Sequence, residues 1–168
     1  MSFVERLGER LADALAFLPD GLVVVIAAAL PIMELRGSIP LAHFLFEMPW
    51  AEAFTWSLIG NLGIIPFIWW LLPPTERLLR RAPAFDRVLD RVFERTRHKA
   101  NARVEKYEEL ALVAFVAVPV PGTGAWTAVL VAYLFGLSWK NSWPYLYTGV
   151  VLACFILVLI VYGTAAVF

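Results

Sequence analysis

Leu30-Pro31-Ile32-Met33-Glu34-Leu35-Arg36-Gly37-Ser38-Ile39-Pro40-Leu41-Ala42 is the stretch on which the fold turns. It sets an acid and a base, Glu34 and Arg36, between two uncharged runs, the 13 residues from Gly21 to Met33 and the ten from Gly37 to Phe46. A helix needs about 20 apolar residues to span a bilayer, so neither run can cross alone. A charge at the bilayer centre costs roughly 2.5–3.5 kcal/mol on the insertion scale. The break therefore has to be compensated, and an ionisable group at membrane depth is by default a site.

The surrounding composition makes the membrane setting plain. Of 168 residues, 61% are hydrophobic and 17% charged, against about 45–50% and about 25% in soluble domains. Mean hydropathy is +0.73. The 14 basic and 14 acidic residues balance, so nothing points to a nucleic-acid partner. One cysteine, Cys154, and two distant histidines, His43 and His98, exclude a disulfide framework and give no ligand spacing for a structural zinc site. No serine, histidine and acid stand in a register suited to hydrolysis, so no catalytic residues, metal or cofactor are expected, and the chain is not read as an enzyme.

We read one membrane domain over residues 1–168. Residues 2–18 carry Phe3, Leu7, Leu11 and Leu15 at helical spacing, with Ser2 and Glu5 spaced as a capping box. This predicts a retained amphipathic helix, lying at the membrane interface or packed on the cytosolic segment. Ala53 to Leu72 reads as a full crossing, closed by Trp69, Trp70, Pro73 and Pro74. Residues 75–110 hold ten of the basic residues and seven acids, which predicts a cytosolic amphipathic helix along the membrane. Leu110 to Trp139 is uncharged over 30 residues and broken around Pro119 to Trp126. An intact helix of that length would be about 45 Å, longer than the ~30 Å hydrocarbon core. After the polar turn Lys140-Asn141-Ser142, Trp143 to Phe168 reads as a second crossing.

Shifting the chain on itself by 88 or 89 positions sets Pro31 on Pro119, Trp50 on Trp139 and Gly60 on Gly149. The pattern predicts two repeats, 21–72 and 110–165. Two readings of the broken segments stay open. In the favoured one each is a re-entrant helical hairpin followed by a transmembrane helix, the repeats are inverted and both termini lie outside. In the other each is a kinked full span, giving four crossings with both termini inside.

The candidate substrate and proton site collects Glu34, Arg36, Gly37, Ser38 and Pro40 from the first break, and Pro119, Pro121, Gly122, Thr123, Gly124, Trp126 and Thr127 from the second. Gly37 is expected to turn sharply, Ser38 to cap the following arm and Pro40 to sit in its first turn. Two helix N-termini and Arg36 would favour an anion, and Glu34 would carry a proton. Asn61 reads either as an interhelical hydrogen bond or as a wall of the site, Trp126 as packing or as a ligand platform. The bland reading is that Glu34 and Arg36 merely staple the break.

The strings Leu30 to Ala42 and Val118-Pro119-Val120-Pro121-Gly122-Thr123-Gly124-Ala125-Trp126-Thr127 resemble the signature pair of the small multidrug export protein family. That family is similar to the DedA and VTT membrane proteins, for which paired re-entrant loops in inverted repeats are proposed. The resemblance implies an all-α, multi-pass protein of the plasma (inner) membrane that moves a small amphiphile, with proton coupling, or handles a lipid phosphate. The alternatives are a DedA-like flippase for an anionic lipid phosphate and a membrane scaffold that transports nothing. Partners are then membrane lipids, an amphiphilic or lipid-phosphate substrate, and protons, and a homo-oligomer is compatible with all of these.

Overall fold

The computed structural model of the chain describes residues 3–81, 102–118 and 124–165. Every regular element among them is helical: α1 (Phe3–Ala14), α2 (Asp20–Ala29), α3 (Glu34–Phe44), α4 (Trp50–Leu79), α5 (Ala102–Ala117), α6 (Ala125–Leu134) and α7 (Trp139–Ala165). Two of them, α4 with 30 residues and α7 with 27, are long and apolar enough to cross a membrane. At 1.5 Å per residue they reach about 45 and about 40 Å, more than a hydrocarbon core requires. The helices α2, α3 and α6 have 10, 11 and 10 residues, each about 15–17 Å, or half of that core.

Turn chemistry punctuates the chain. Pro19 and Pro49, in extended conformation, stand immediately before α2 and α4, where a fixed φ and a missing donor suit a helix start. Glu47 has φ +50° in the turn from α3 to α4, and Gly136 has φ +69° in the turn from α6 to α7. These two positions differ by the same 89 residues as Trp50 and Trp139, the first residues of α4 and α7.

The same spacing recurs where the long helices meet their neighbours. A Cβ on Gly60 of α4 would lie 2.2 Å from the Val25 carbonyl and 2.9 Å from the Ala28 Cβ of α2. A Cβ on Gly149 of α7 would lie 2.7 Å from the Val116 Cβ and 3.1 Å from the Val113 carbonyl of α5. Val113 and Val116 follow Val25 and Ala28 by 88 positions. Glycine thus lets backbones approach at matching points of both halves, the usual device of helix packing in lipid. The halves also exchange contacts, α3 packing on α7 and α6 on α4, with α4 against α7 between them.

The largest buried cluster sits at that exchange, with Leu35 and Ile39 of α3, Ile65 and Ile68 of α4, Ala128 and Val129 of α6, and Leu146 and Val150 of α7. A second joins Val24 at the middle of α2 to Ala42 near the end of α3 and to Met48 and Ala53. A third carries the stripe of α1: Leu7, Leu11 and Leu15 pack against Val23, Ala27, Met33 and Leu41. The amphipathic face therefore meets α2 and α3, a partner that neither sequence expectation named.

Several local expectations need correction. The helix α4 does not stop at Leu72 but runs through Pro73 and Pro74 to Leu79. Thr75 Oγ1 donates to the Leu71 carbonyl at 2.8 Å, one residue beyond the Trp69 and Trp70 carbonyls whose N–H donors the prolines remove. Lys140, Asn141 and Ser142 are no turn: they form the first turn of α7, and the Asn141 N–H reaches Ser138 Oγ at 3.3 Å. The helix α5 crosses the expected boundary at Leu110 without interruption. Most of the expected cytosolic helix, residues 82–101, lies outside the described residues, as does Ser2 of the expected capping box.

Candidate functional site

The chain of α2 ends at Ala29 because Pro31 cannot continue it, and α3 restarts at Glu34 with φ +47°. A positive φ at a non-glycine residue costs about 1–3 kcal/mol and persists only where the surroundings enforce it. Here they do so through the Glu34 side chain, which is 8% exposed. Its Oε1 accepts the backbone N–H of Trp126 at 3.3 Å, a contact between residues 92 apart. Trp126 lies in the first turn of α6, where unpaired N–H groups and the helix dipole favour a negative group. The carboxylate rests directly on the glycine that precedes that helix: a Cβ on Gly124 would fall 1.6 Å from Glu34 Oε2. Thr127 turns inward to the same residue, its Oγ1 accepting the Gly124 N–H at 3.0 Å.

The C-terminal carbonyls of α2 are satisfied from the other side. Asn61 Nδ2 donates to the Ala28 carbonyl at 2.9 Å, and the Trp126 indole Nε1–H donates to the Ala29 carbonyl at 3.0 Å. Trp126 therefore grips both sides of the first break, its backbone on Glu34 and its indole on the end of α2. Asn61 is at once an interhelical hydrogen bond and a wall of the cavity beside Glu34.

That cavity is small. Glu34, Leu35, Arg36, Asn61, Gly124 and Ala125 are among the residues that enclose about 10 Å³, the room of about one water molecule. In this conformation it can hold a proton or a water and no organic substrate.

The remaining site residues divide. Ser38 does not cap α3, which already begins at Glu34; its hydroxyl donates to Ser57 Oγ at 2.9 Å, and both residues are fully buried. Gly37 makes no sharp turn. It lies inside α3, where a Cβ would come within 2.8 Å of the Met33 Cβ. Pro40 is likewise inside the helix, and with Gly37 it lines a different cavity, against α1. Pro119, Pro121, Gly122 and Thr123 lie outside the described residues. Ser57 was missed, although a serine four residues before Asn61 in an apolar run marks one polar helix face. No sequence signal announced the roles of the Ala28 and Ala29 carbonyls, because any residue supplies a carbonyl.

Elsewhere, His43 lies between the rings of Phe44 and Tyr162, at 4.6 and 4.3 Å, and Cys154 is fully buried. Among the described residues no group of three His, Cys, Asp or Glu could hold a metal ion.

No curated protein and no solved structure matches the chain. A family model does, over residues 34–156, from the start of α3 through the second break and most of α7. On that match, which covers most of its length, the chain belongs to the family described as "Putative small multi-drug export protein".

Proposed function

We propose that the protein is a proton-coupled membrane transporter that exports a small amphiphile, with Glu34 as the proton carrier. The observation that carries this reading is the Glu34 carboxylate, buried between the halves of the chain and held on the N-terminus of α6. A carboxylate so placed links protonation to packing: when it is neutral it loses its attraction to the helix terminus and its charge-assisted bond to Trp126. The cavity beside it admits a proton and excludes a larger solute, which suits a coupling site in its closed state. Family membership supports export as the activity.

The same contacts support the hairpin reading of the fold. Val24, at the middle of α2, and Ala42, near the end of α3, share a buried cluster although 18 residues separate them. Two half-length helices joined end to end would hold these residues about 30 Å apart. With the glycine contacts repeating at 88 and 89 positions, this favours two inverted repeats, each a re-entrant pair followed by a crossing, in a multi-pass protein of the plasma membrane. The C-terminus then lies outside. An alkaline phosphatase fused after Phe168 should be active and a fused fluorescent protein dark, and the reverse pattern overturns this topology.

A DedA-like flippase for lipid phosphates remains the second reading, favoured by Arg36 beside Glu34. Against it, the α6 terminus that would receive an anion already holds the chain's own carboxylate. Liposomes containing the purified protein separate the two. An imposed proton gradient should drive uptake of a lipophilic ammonium dye and not the flipping of a fluorescent lipid phosphate, and Glu34→Gln should abolish the uptake while folding normally. Lipid-phosphate movement without dye uptake overturns the proposal.

A further inference from the structure

A cavity larger than the one beside Glu34 lies on the other face of α3, between that helix and α1, and has a volume of about 180 Å³. Met33, Pro40, Leu41, Phe44 and Leu45 give it apolar walls. Its floor is open because residue 8 is glycine: a Cβ there would lie 3.2 Å from Leu41 Cδ1 and 3.6 Å from Met33 Cε. An apolar cavity of about 150 Å³ is known to accept benzene, so this one has room for a ring or a short branched chain. Among the described residues, Glu9, exposed on α1, is the charged residue along its wall. Phe44 stands at the opening, 70% exposed.

We infer that this cavity binds the apolar body of a small lipophilic cation, with the Glu9 carboxylate at the rim holding its positive charge. This deepens the transport reading and rests on it for the direction of movement, but the binding itself does not. Charge selects the occupant. A carboxylate at the mouth of an apolar slot attracts an ammonium and repels a phosphate or carboxylate, which disfavours an anionic lipid. Position supplies the link to Glu34: Met33 on the cavity wall is the residue before Glu34, and Gly37 is less than one turn beyond it. An occupant wedged between α1 and α3 presses on the helix whose first residue holds the proton site. The proton and the amphiphile then occupy opposite faces of one short helix, consistent with the absence of room for a solute beside Glu34.

The test is ligand binding to the full chain in phosphatidylcholine nanodiscs, read by saturation-transfer NMR with empty nanodiscs as background. The probes are benzyltrimethylammonium, its uncharged carbon analogue neopentylbenzene, and benzylphosphonate. The cation should bind several-fold more tightly than the neutral analogue, and the phosphonate should not bind. Glu9→Gln should weaken cation binding about fivefold, the upper range for an exposed ion pair, and leave the neutral analogue unchanged. Gly8→Leu fills the cavity and should weaken both at least tenfold, with a melting temperature no lower than that of the parent, because leucine favours helix more than glycine does. Unaltered cation binding in Gly8→Leu overturns the site. Equal binding of cation and neutral analogue, insensitive to Glu9→Gln, also overturns it, leaving a slot for a lipid acyl chain. Nanodisc binding needs no gradient, so intact binding with failed liposome uptake counts against the transport reading and not against this site.

Discussion

Replacing Gly124 with alanine should lower stability by about 2–4 kcal/mol, the range expected when a tight buried contact is overfilled. The added methyl would lie 1.6 Å from Glu34 Oε2, so either the carboxylate or α6 must move. The carboxylate can swing aside only by leaving the Trp126 N–H without its acceptor at a part-buried position, and a hydrogen bond to a charged group contributes about 1.5–3 kcal/mol. The clash belongs to the pair, so the two changes should not add. Glu34→Ala removes the obstructing atoms, and in that background Gly124→Ala should cost less than about 1 kcal/mol. Thermal or denaturant unfolding in detergent across the four proteins gives the coupling directly. Additive losses would mean that Glu34 and Gly124 do not meet in solution.

That contact also marks how far the sequence could be read. The two helices long and apolar enough to cross a membrane were legible because a run of about 20 apolar residues stands out in the sequence. The breaks were legible because Pro31 and the proline-glycine string after Val118 withdraw donors and disfavour a continuous helix. Where each arm restarts was not. Glycine and proline predict a boundary at Gly37 to Pro40, whereas α3 begins at Glu34 and carries Pro40 in its interior. Long-range contacts decided this: a positive φ at Glu34 is unfavourable locally and is held by a hydrogen bond to a residue 92 positions away. Pro73 and Pro74 misled in the same way, as α4 passes through both. At the site, Glu34, Arg36, Asn61 and Gly124 were found together because charge, amide and glycine are rare in apolar runs. The role of Trp126 was hidden, since its indole donates to a backbone carbonyl that no side chain announces. The expectation that the α6 terminus would receive a substrate anion is weakened because Glu34 itself lies there.

The second large effect concerns Glu34 and Arg36 together. In Glu34→Gln the amide oxygen can still accept the Trp126 N–H, so the fold should survive while the exchangeable proton is lost. Arg36→Met leaves the carboxylate without the positive charge beside it, and breaking one partner of a buried charge pair typically costs about 3–5 kcal/mol. Because Arg36 is only half-buried, the loss should fall toward the lower end of that range or below it. In the combined Glu34→Gln, Arg36→Met protein both charges are gone, and stability should return to near that of the parent, since neutral groups of similar size replace a buried ion pair at little cost. Flux separates the site from the staple. If the charges only hold the break together, a stable double variant should transport as the parent does. If Glu34 carries the proton, no compensation at Arg36 restores it. The decisive measurement is proton-driven uptake of a lipophilic ammonium dye by liposomes holding the double variant, with thermal stability taken on the same preparation. The account predicts a folded protein whose uptake falls at least a hundredfold, to the level of empty liposomes; full uptake in the folded double variant would contradict it.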